Sequence, residues 1–163
     1  MPYISVVITC YNHGQYLGKA IKSVKSQGFK DTELIVVDDG STDNTSAVVD
    51  RFSGVQYIWQ ENEGLSSARN TGLHASEGER IIFLDADDWL LPEALKTVAD
   101  YAETDPSAVM LVGGHVRAQE SESGVSYKEQ YVPDLGKDPY ATLLRRNVVE
   151  MHAAVAYRRD VLE

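Results

Sequence analysis

Four short apolar runs, each ending in a polar loop, constrain this chain more than any other feature. They occupy residues 3–9, 33–37, 55–59 and 81–84. The fourth, Ile81-Ile82-Phe83-Leu84, suits a strand buried on both faces. Between the runs, apolar residues recur at helical spacing, as in Leu17, Ala20, Ile21 and Val24. The spacing predicts helices over 16–26, 44–52, 65–75 and 92–104, with Pro92 opening the last. Such alternation predicts right-handed crossovers, a mostly parallel sheet and an α/β fold.

Parallel strands carry their following loops to one edge of the sheet. In open α/β sheets, ligands bind at that edge. The loops expected there hold Tyr11, Asp38 with Asp39, Asn62, and Asp85 with Asp87. The last of them reads Asp85-Ala86-Asp87-Asp88, and its carboxylates repel one another. Two unit charges about 4 Å apart cost roughly 4 kcal/mol at an effective dielectric of 20. A solvated turn, a basic partner or a hard divalent cation offsets that cost. A simpler reading stays open at this point: Asp87 or Asp88 caps the next helix.

The other loops have chemistry of their own. Asp38-Asp39-Gly40-Ser41 suits a tight turn, and a carboxylate there can accept from a ring N–H of a nucleobase. Tyr11 offers a flat face for stacking such a base. Arg69, within the helix expected over 65–75, can hold a carboxylate or meet a phosphate with its planar fork. A diphosphate beside Asp85 and Asp87 requires a cation, and Mg²⁺ or Mn²⁺ accepts carboxylate and phosphate oxygens together. Such an ion also stabilises charge on a departing nucleoside diphosphate. These residues therefore point to transfer from a nucleotide-activated donor.

Composition removes several alternatives. A formal net charge of −10 argues against unassisted binding to nucleic acid or an anionic membrane. With Cys10 as the one cysteine, an internal disulfide and a cysteine metal cluster are both excluded. No apolar run is long enough to span a bilayer. The four histidines are scattered without metal-ligand spacing, and Arg145-Arg146 and Arg158-Arg159 read as solvated faces. After Ser107 the pattern changes. A strand is expected over 108–116, a polar loop over 119–124, an antiparallel strand over 126–132, a helix over 139–146 and a last strand over 153–157.

Four motifs taken in order resemble the amino-terminal part of family-two glycosyltransferases with the GT-A fold. They are Val6-Val7-Ile8-Thr9-Cys10-Tyr11-Asn12, Glu33-Leu34-Ile35-Val36-Val37-Asp38-Asp39-Gly40-Ser41-Thr42-Asp43, Asn62-Glu63-Gly64 with Ala68-Arg69-Asn70-Thr71-Gly72, and Phe83-Leu84-Asp85-Ala86-Asp87-Asp88. The resemblance is strong over residues 3–100 and looser beyond. It implies a Rossmann-like three-layer sandwich with a mostly parallel central sheet and a partly antiparallel carboxy-terminal part. It implies one domain over 1–163, with a nucleotide-binding half at 3–104 and the start of an acceptor-side half at 105–163.

By position, the resemblance implies that Thr9 and Tyr11 line the nucleoside pocket. Asp39 reads the base, most often uracil, and Asp38 supports its turn. Arg69 lies near the donor phosphates, Asp85 approaches the ribose or the metal, and Asp87 binds Mn²⁺ or Mg²⁺. The implied activity is inverting transfer from a UDP-sugar to a saccharide or lipid-linked acceptor, in cell-surface polysaccharide synthesis. The implied location is the cytoplasm, with peripheral contact at the inner membrane face an option for the full-length protein. The family's general base follows a segment like Tyr157-Arg158-Arg159-Asp160-Val161-Leu162-Glu163. It is therefore expected beyond Glu163, in a chain that is truncated, and Asp160 and Glu163 are poor substitutes. Two other readings are a donor-binding domain without catalysis and a phosphoryl-receiver-like module.

Overall fold

The first strand is the axis of the molecule. β1 (Ile4–Cys10) is buried along its whole length, between β2 (Thr32–Asp39) on one side and β4 (Arg80–Asp85) on the other. Both neighbours run parallel to it, and β3 (Gln56–Gln60) extends the sheet parallel to β2. The computed structural model describes residues 3–121, 124–134, 136 and 152–162. The helix expected over 139–146, with Arg145 and Arg146, lies outside the described residues, as does Glu163.

The connecting helices are α1 (Gly14–Lys25), α2 (Thr45–Val49), α3 (Leu65–Ala75) and α4 (Ala94–Thr104). Side chains alternate across a strand, so each strand feeds two layers. Ile4, Val6, Ile8, Leu34, Val36, Ile82 and Leu84 pack against Leu17 and Ile21 of α1, Val48 of α2 and Leu95 of α4. Val7, Ile35, Val37, Ile81 and Phe83 face the other way, onto Ala68 and Leu73 of α3. The result is the expected three-layer sandwich. Each fully buried Leu or Ile contributes roughly 1.5–3 kcal/mol relative to exposure.

The later chain enters the same sheet. β5 (Met110–Val112) and β8 (Val155–Arg158) give the order β3-β2-β1-β4-β8-β5, with β8 antiparallel to both neighbours. A receiver-type domain has its strands in the order 2-1-3-4-5, so the topology excludes that reading. A separate antiparallel hairpin pairs β6 (His115–Ser121) with β7 (Gly124–Tyr131). No helix among the described residues is long and apolar enough to cross a membrane.

Four expectations need correction. The single strand expected over 108–116 is two strands in different sheets, broken at Gly113-Gly114. Gly114 lies so close to the Tyr131 carbonyl that a Cβ there would stand 2.7 Å from it. The polar loop expected over 119–124 is mostly strand, because β6 runs to Ser121 and the chain turns back by Gly124. Pro92 does not open α4: residues 92 and 93 form a turn, Glu93 takes φ +63°, and the helix starts at Ala94. That leaves Asp87 and Asp88 too far away to cap it. Arg158 and Arg159 are partly solvated rather than fully so, because each also bonds within the fold. Arg158 donates to the Ser107 carbonyl at 2.9 Å and to Asp160, and Arg159 donates to the Ser76 carbonyl.

Close approach between layers has a local signature at Gly72. A Cβ on this residue of α3 would overlap the Val7 side chain of β1, which is fully buried. Gly72→Ala is therefore expected to destabilise the fold by about 1–3 kcal/mol, despite the higher helix propensity of alanine. Chemical denaturation of both forms measures the difference.

The start of α1 is tied to the loop after β2. Asp43 accepts from the Gly14 N–H at 2.9 Å and from the Thr45 N–H at 3.0 Å. Partial desolvation pushes the Asp43 carboxyl up, but its hydrogen bonds to Thr45 and Gly14 outweigh that and hold it below the usual value. A depressed carboxylate contributes stability above its unfolded pKa, about 3.9, and loses it as pH falls through the folded value. Asp43→Asn is expected to flatten the acid limb of a melting-temperature profile below about pH 4. An unchanged acid limb would remove this assignment.

Candidate active site

The strand order reverses direction between β1 and β4, since β2 and β3 lie on one side of β1 and β4 on the other. A crevice outside the carboxyl ends of strands forms at such a switch point. Thr9 stands opposite Asp85 in the register, and Cys10 stands opposite Asp38. Three strands therefore end together, and their loops meet. Tyr11, just after β1, remains 52% exposed, which leaves its ring face available for stacking.

Asp38 and Asp39 are adjacent in sequence yet point to opposite faces, because strand side chains alternate. Asp38 is buried on the α1 side. It accepts from the Tyr57 hydroxyl at 2.6 Å and from the Ser41 N–H at 2.8 Å. Burial, then the bond to Asp38, keeps the Tyr57 phenol protonated far above its usual range. Asp39 is buried on the α3 side. Its Oδ1 accepts from Gln60 Nε2 at 2.7 Å and the Glu63 N–H at 3.0 Å, and its Oδ2 from the Gly64 N–H at 2.9 Å. These amides immediately precede α3, so Asp39 also answers the positive end of that helix. Its Oδ2 keeps a lone pair for a further donor.

Asn12 joins the first two loops. It takes φ +54°, donates its N–H to Ser41 Oγ at 2.9 Å and accepts from the Thr42 N–H at 2.8 Å. Gly40, at φ +78°, completes the turn, and a Cβ there would stand 2.8 Å from the Asn62 nitrogen. The second and third loops are therefore in contact as well.

Arg69 projects from α3 toward β4. Its Nη2 lies 3.0 Å from Asp85 Oδ1, and Thr9 Oγ1 donates to the same oxygen at 3.3 Å. The Asp85 side chain is 42% exposed, so solvent screening limits this pair to roughly 0.5–1 kcal/mol. Arg69 Nε is buried without a partner. Of its nitrogens, Nη2 is the one that meets Asp85.

Asp87 is exposed and Asp88 is half-buried. Burial, then the charges of Asp87 and Asp85, pushes the Asp88 carboxyl up to about 6. Negative charge is therefore in excess at this turn. Among the described residues, no three His, Cys, Asp or Glu side chains form a metal cage. Asp85 and Asp87 supply two hard oxygen donors, which suits Mg²⁺ or Mn²⁺ completed by phosphate and water oxygens. Asp160 sits elsewhere: Arg158, its partner, pairs with Arg80 at the opposite end of β4, roughly 16 Å of strand from Asp85.

Of the seven residues singled out in the sequence, Thr9, Arg69 and Asp85 are in direct contact, Asp38 and Asp39 end the neighbouring strand on opposite faces, and Tyr11 and Asp87 stand in the loops after β1 and β4. Sequence reasoning missed Tyr57 and Gln60, which hold Asp38 and Asp39 in place, and Asn12, which ties the turn after β2 to the end of β1. Gln60 had a usable signal, since it ends β3 directly opposite Asp39. A cavity of about 810 Å³ opens beside Asp87 and Asp88, between α4 and the β6–β7 hairpin, with Trp89, Tyr101 and Tyr127 on its wall.

Comparison with known proteins agrees with this geometry. The profile of the family described as Glycosyl transferase family 2 matches residues 5–163. An uncharacterized glycosyltransferase of Nostoc is 34% identical over 98% of this chain and 52% of its own length. An undecaprenol-linked glycan β-1,3-glucosyltransferase of Campylobacter jejuni is 41% identical over 63% of this chain and 35% of its own. TarS residues 1–349 from S. aureus, solved with UDP-GlcNAc, superpose with a TM-score of 0.75 at 26% identity, covering 98% of this chain and 46% of that one. A Pyrobaculum calidifontis mannosyltransferase, solved with GDP-Man and Mn²⁺, has a TM-score of 0.72 at 22% identity over 99% of this chain and 46% of that one, a likeness of fold alone. The chain spans about half the length of the Nostoc relative and of TarS 1–349. The architecture is the GT-A fold, and the chain belongs to glycosyltransferase family 2.

Proposed function

We propose that this domain binds a UDP-sugar at the β1–β4 crevice and transfers the sugar to a saccharide or lipid-linked acceptor. One observation carries the reading: a stacking face, a base-reading carboxylate, an arginine and two further carboxylates come from the carboxyl ends of β1, β2 and β4 and from α3. Tyr11 stacks on the uracil, and Asp39 accepts its ring N–H through the free lone pair of Oδ2. Asp38 and Tyr57 fix the turn beneath. Thr9 lines the same pocket. Arg69 donates to the donor phosphates from the guanidinium edge that Asp85 leaves free, and Asp85 faces the ribose or the cation.

Asp87, with Asp85, would hold Mn²⁺ or Mg²⁺, a cation that would neutralise the diphosphate and stabilise the charge on it as a leaving group. The excess negative charge around Asp88 supports this role. The acceptor hydroxyl approaches the anomeric carbon from the face opposite the diphosphate, and direct displacement inverts that centre. A general base must take the hydroxyl proton. Asp160 is committed to Arg158 at the far end of β4, so the base is a different group. In this reading the cavity beside Asp87 receives the acceptor. The undecaprenol-linked substrate named for the Campylobacter relative supports a lipid-linked acceptor. In this reading residues 3–104 make the nucleotide-binding half and 105–163 begin the acceptor side. The reaction would take place in the cytoplasm or at the inner membrane face.

Calorimetric titration of UDP in the presence of Mn²⁺ tests the reading. Saturable binding that weakens in a chelator is expected, and a folded sample without binding would overturn it. Asp87→Ala should leave the melting temperature unchanged, because the side chain is exposed. It should weaken Mn²⁺-dependent UDP binding by roughly 100-fold or more, beyond the 10–100-fold that outer-shell partners cost. Asp39→Asn should lose more affinity for UDP than Asp38→Asn loses, since only Asp39 has an oxygen for the base. Equal losses would mean that both residues act through the turn alone.

A further inference from the structure

α1 meets the acidic loop along a single stripe of side chains. Lys19 and Ser23 stand one turn apart on one side of α1, and Gln27, four residues further on, continues that line just past the helix end. Lys19 Nζ lies 3.4 Å from the centre of the Trp89 ring. Ser23 Oγ accepts from the Leu90 N–H at 3.0 Å. Gln27 Nε2 donates to the Leu91 carbonyl at 2.9 Å, and Gln27 Oε1 accepts from the Leu95 N–H at 3.3 Å. Residues 89, 90, 91 and 95 are each held by this stripe.

The segment so held connects Asp85, Asp87 and Asp88 to α4, and it has no regular structure of its own. Within it the backbone closes two short turns, Asp88 N–H to the Asp85 carbonyl at 3.0 Å and Ala94 N–H to the Leu91 carbonyl at 3.3 Å. Like charges at 85, 87 and 88 push the loop open, and the apolar and polar contacts to α1 resist. The other end of α1 is anchored at the opposite loop, where the Gly14 N–H binds Asp43. One helix therefore spans from the turn beside the base-reading residues to the loop that carries Asp87.

We propose that Lys19, Ser23 and Gln27 are positioning residues that set where Asp87 stands. Divalent-cation-dependent nucleotide binding then depends on a helix face that touches neither cation nor nucleotide. This rests on the metal and donor roles given above to Asp85 and Asp87.

The experiment titrates Mn²⁺ into the UDP-saturated protein and compares Ser23→Ala/Gln27→Ala and Lys19→Met with wild type. Ile4→Ala is the control, a truncation at the fully buried, opposite end of β1 that loosens the same core cluster without removing a hydrogen bond to the loop. Each brace variant is expected to weaken Mn²⁺ by about tenfold, as outer-shell partners of metal sites do. Lys19→Arg, which keeps a cation over Trp89, should restore the affinity. Amide exchange at Leu90 and Leu95 should accelerate more in Ser23→Ala/Gln27→Ala than in Ile4→Ala, once each is corrected for its loss of global stability. Should the double variant fail to fold, Ser23→Ala and Gln27→Ala are measured singly with the same expectation.

Mn²⁺ affinity equal to wild type in a folded brace variant would overturn the inference. So would an equal loss in Ile4→Ala, because general loosening would then suffice. Wild-type protein that binds UDP with no dependence on Mn²⁺, or binds no UDP, would instead overturn the functional reading beneath it. Wild-type titration thus separates the two failures.

Discussion

The hydrogen-bond register of β1 is the constraint on which the rest depends. Seven residues pair with β2 and six with β4, all parallel and all buried. That pairing leaves no freedom about where the strands end. A shift of one residue would exchange the two faces, sending Val6 and Ile8 toward α3 and Val7 toward α1. It would also part Thr9 from Asp85. The crevice, the loops that line it and the direction of every acidic side chain follow from this one alignment.

Polar groups at the strand ends serve structure and ligand at once. Asp39 satisfies two amides ahead of α3 and a glutamine from β3, which together hold its carboxylate in one orientation. A group so oriented loses little freedom when a base arrives. Arg69 holds Asp85 through Nη2, while its buried Nε has no hydrogen-bond partner. The turn at 85–88 is different: burial and like charge work against it, and contacts from α1 supply the restraint. Charge repulsion that would weaken a structural turn becomes useful where a cation is to be bound.

Much of this was legible in the residues. Four β-branched runs, helical spacing between them and acidic loops after them were enough for the layer order, the parallel core and the edge at which the loops gather. The misreadings have physical causes. Residues 108–116 look like one apolar strand, but Gly113-Gly114 lets the chain leave one sheet for another. Pro92 is a fair signal for a helix start, yet Glu93 in a left-handed conformation delays it to Ala94. Tyr57 gave no sign of its role, because it meets Asp38 across the sheet and not along the chain.

The sequence by itself determined which chemistry is present and which edge of the sheet would hold it, since strand and helix periods are local properties. Tertiary structure alone decided which carboxylate is spare and which is spent. Asp38 and Asp39 are identical and adjacent. Alternation of the strand turns one toward Tyr57 and the other toward α3, and partners from distant segments do the rest. The same holds for Lys19, Ser23 and Gln27, an unremarkable helix stripe until Trp89, Leu90, Leu91 and Leu95 are folded against it.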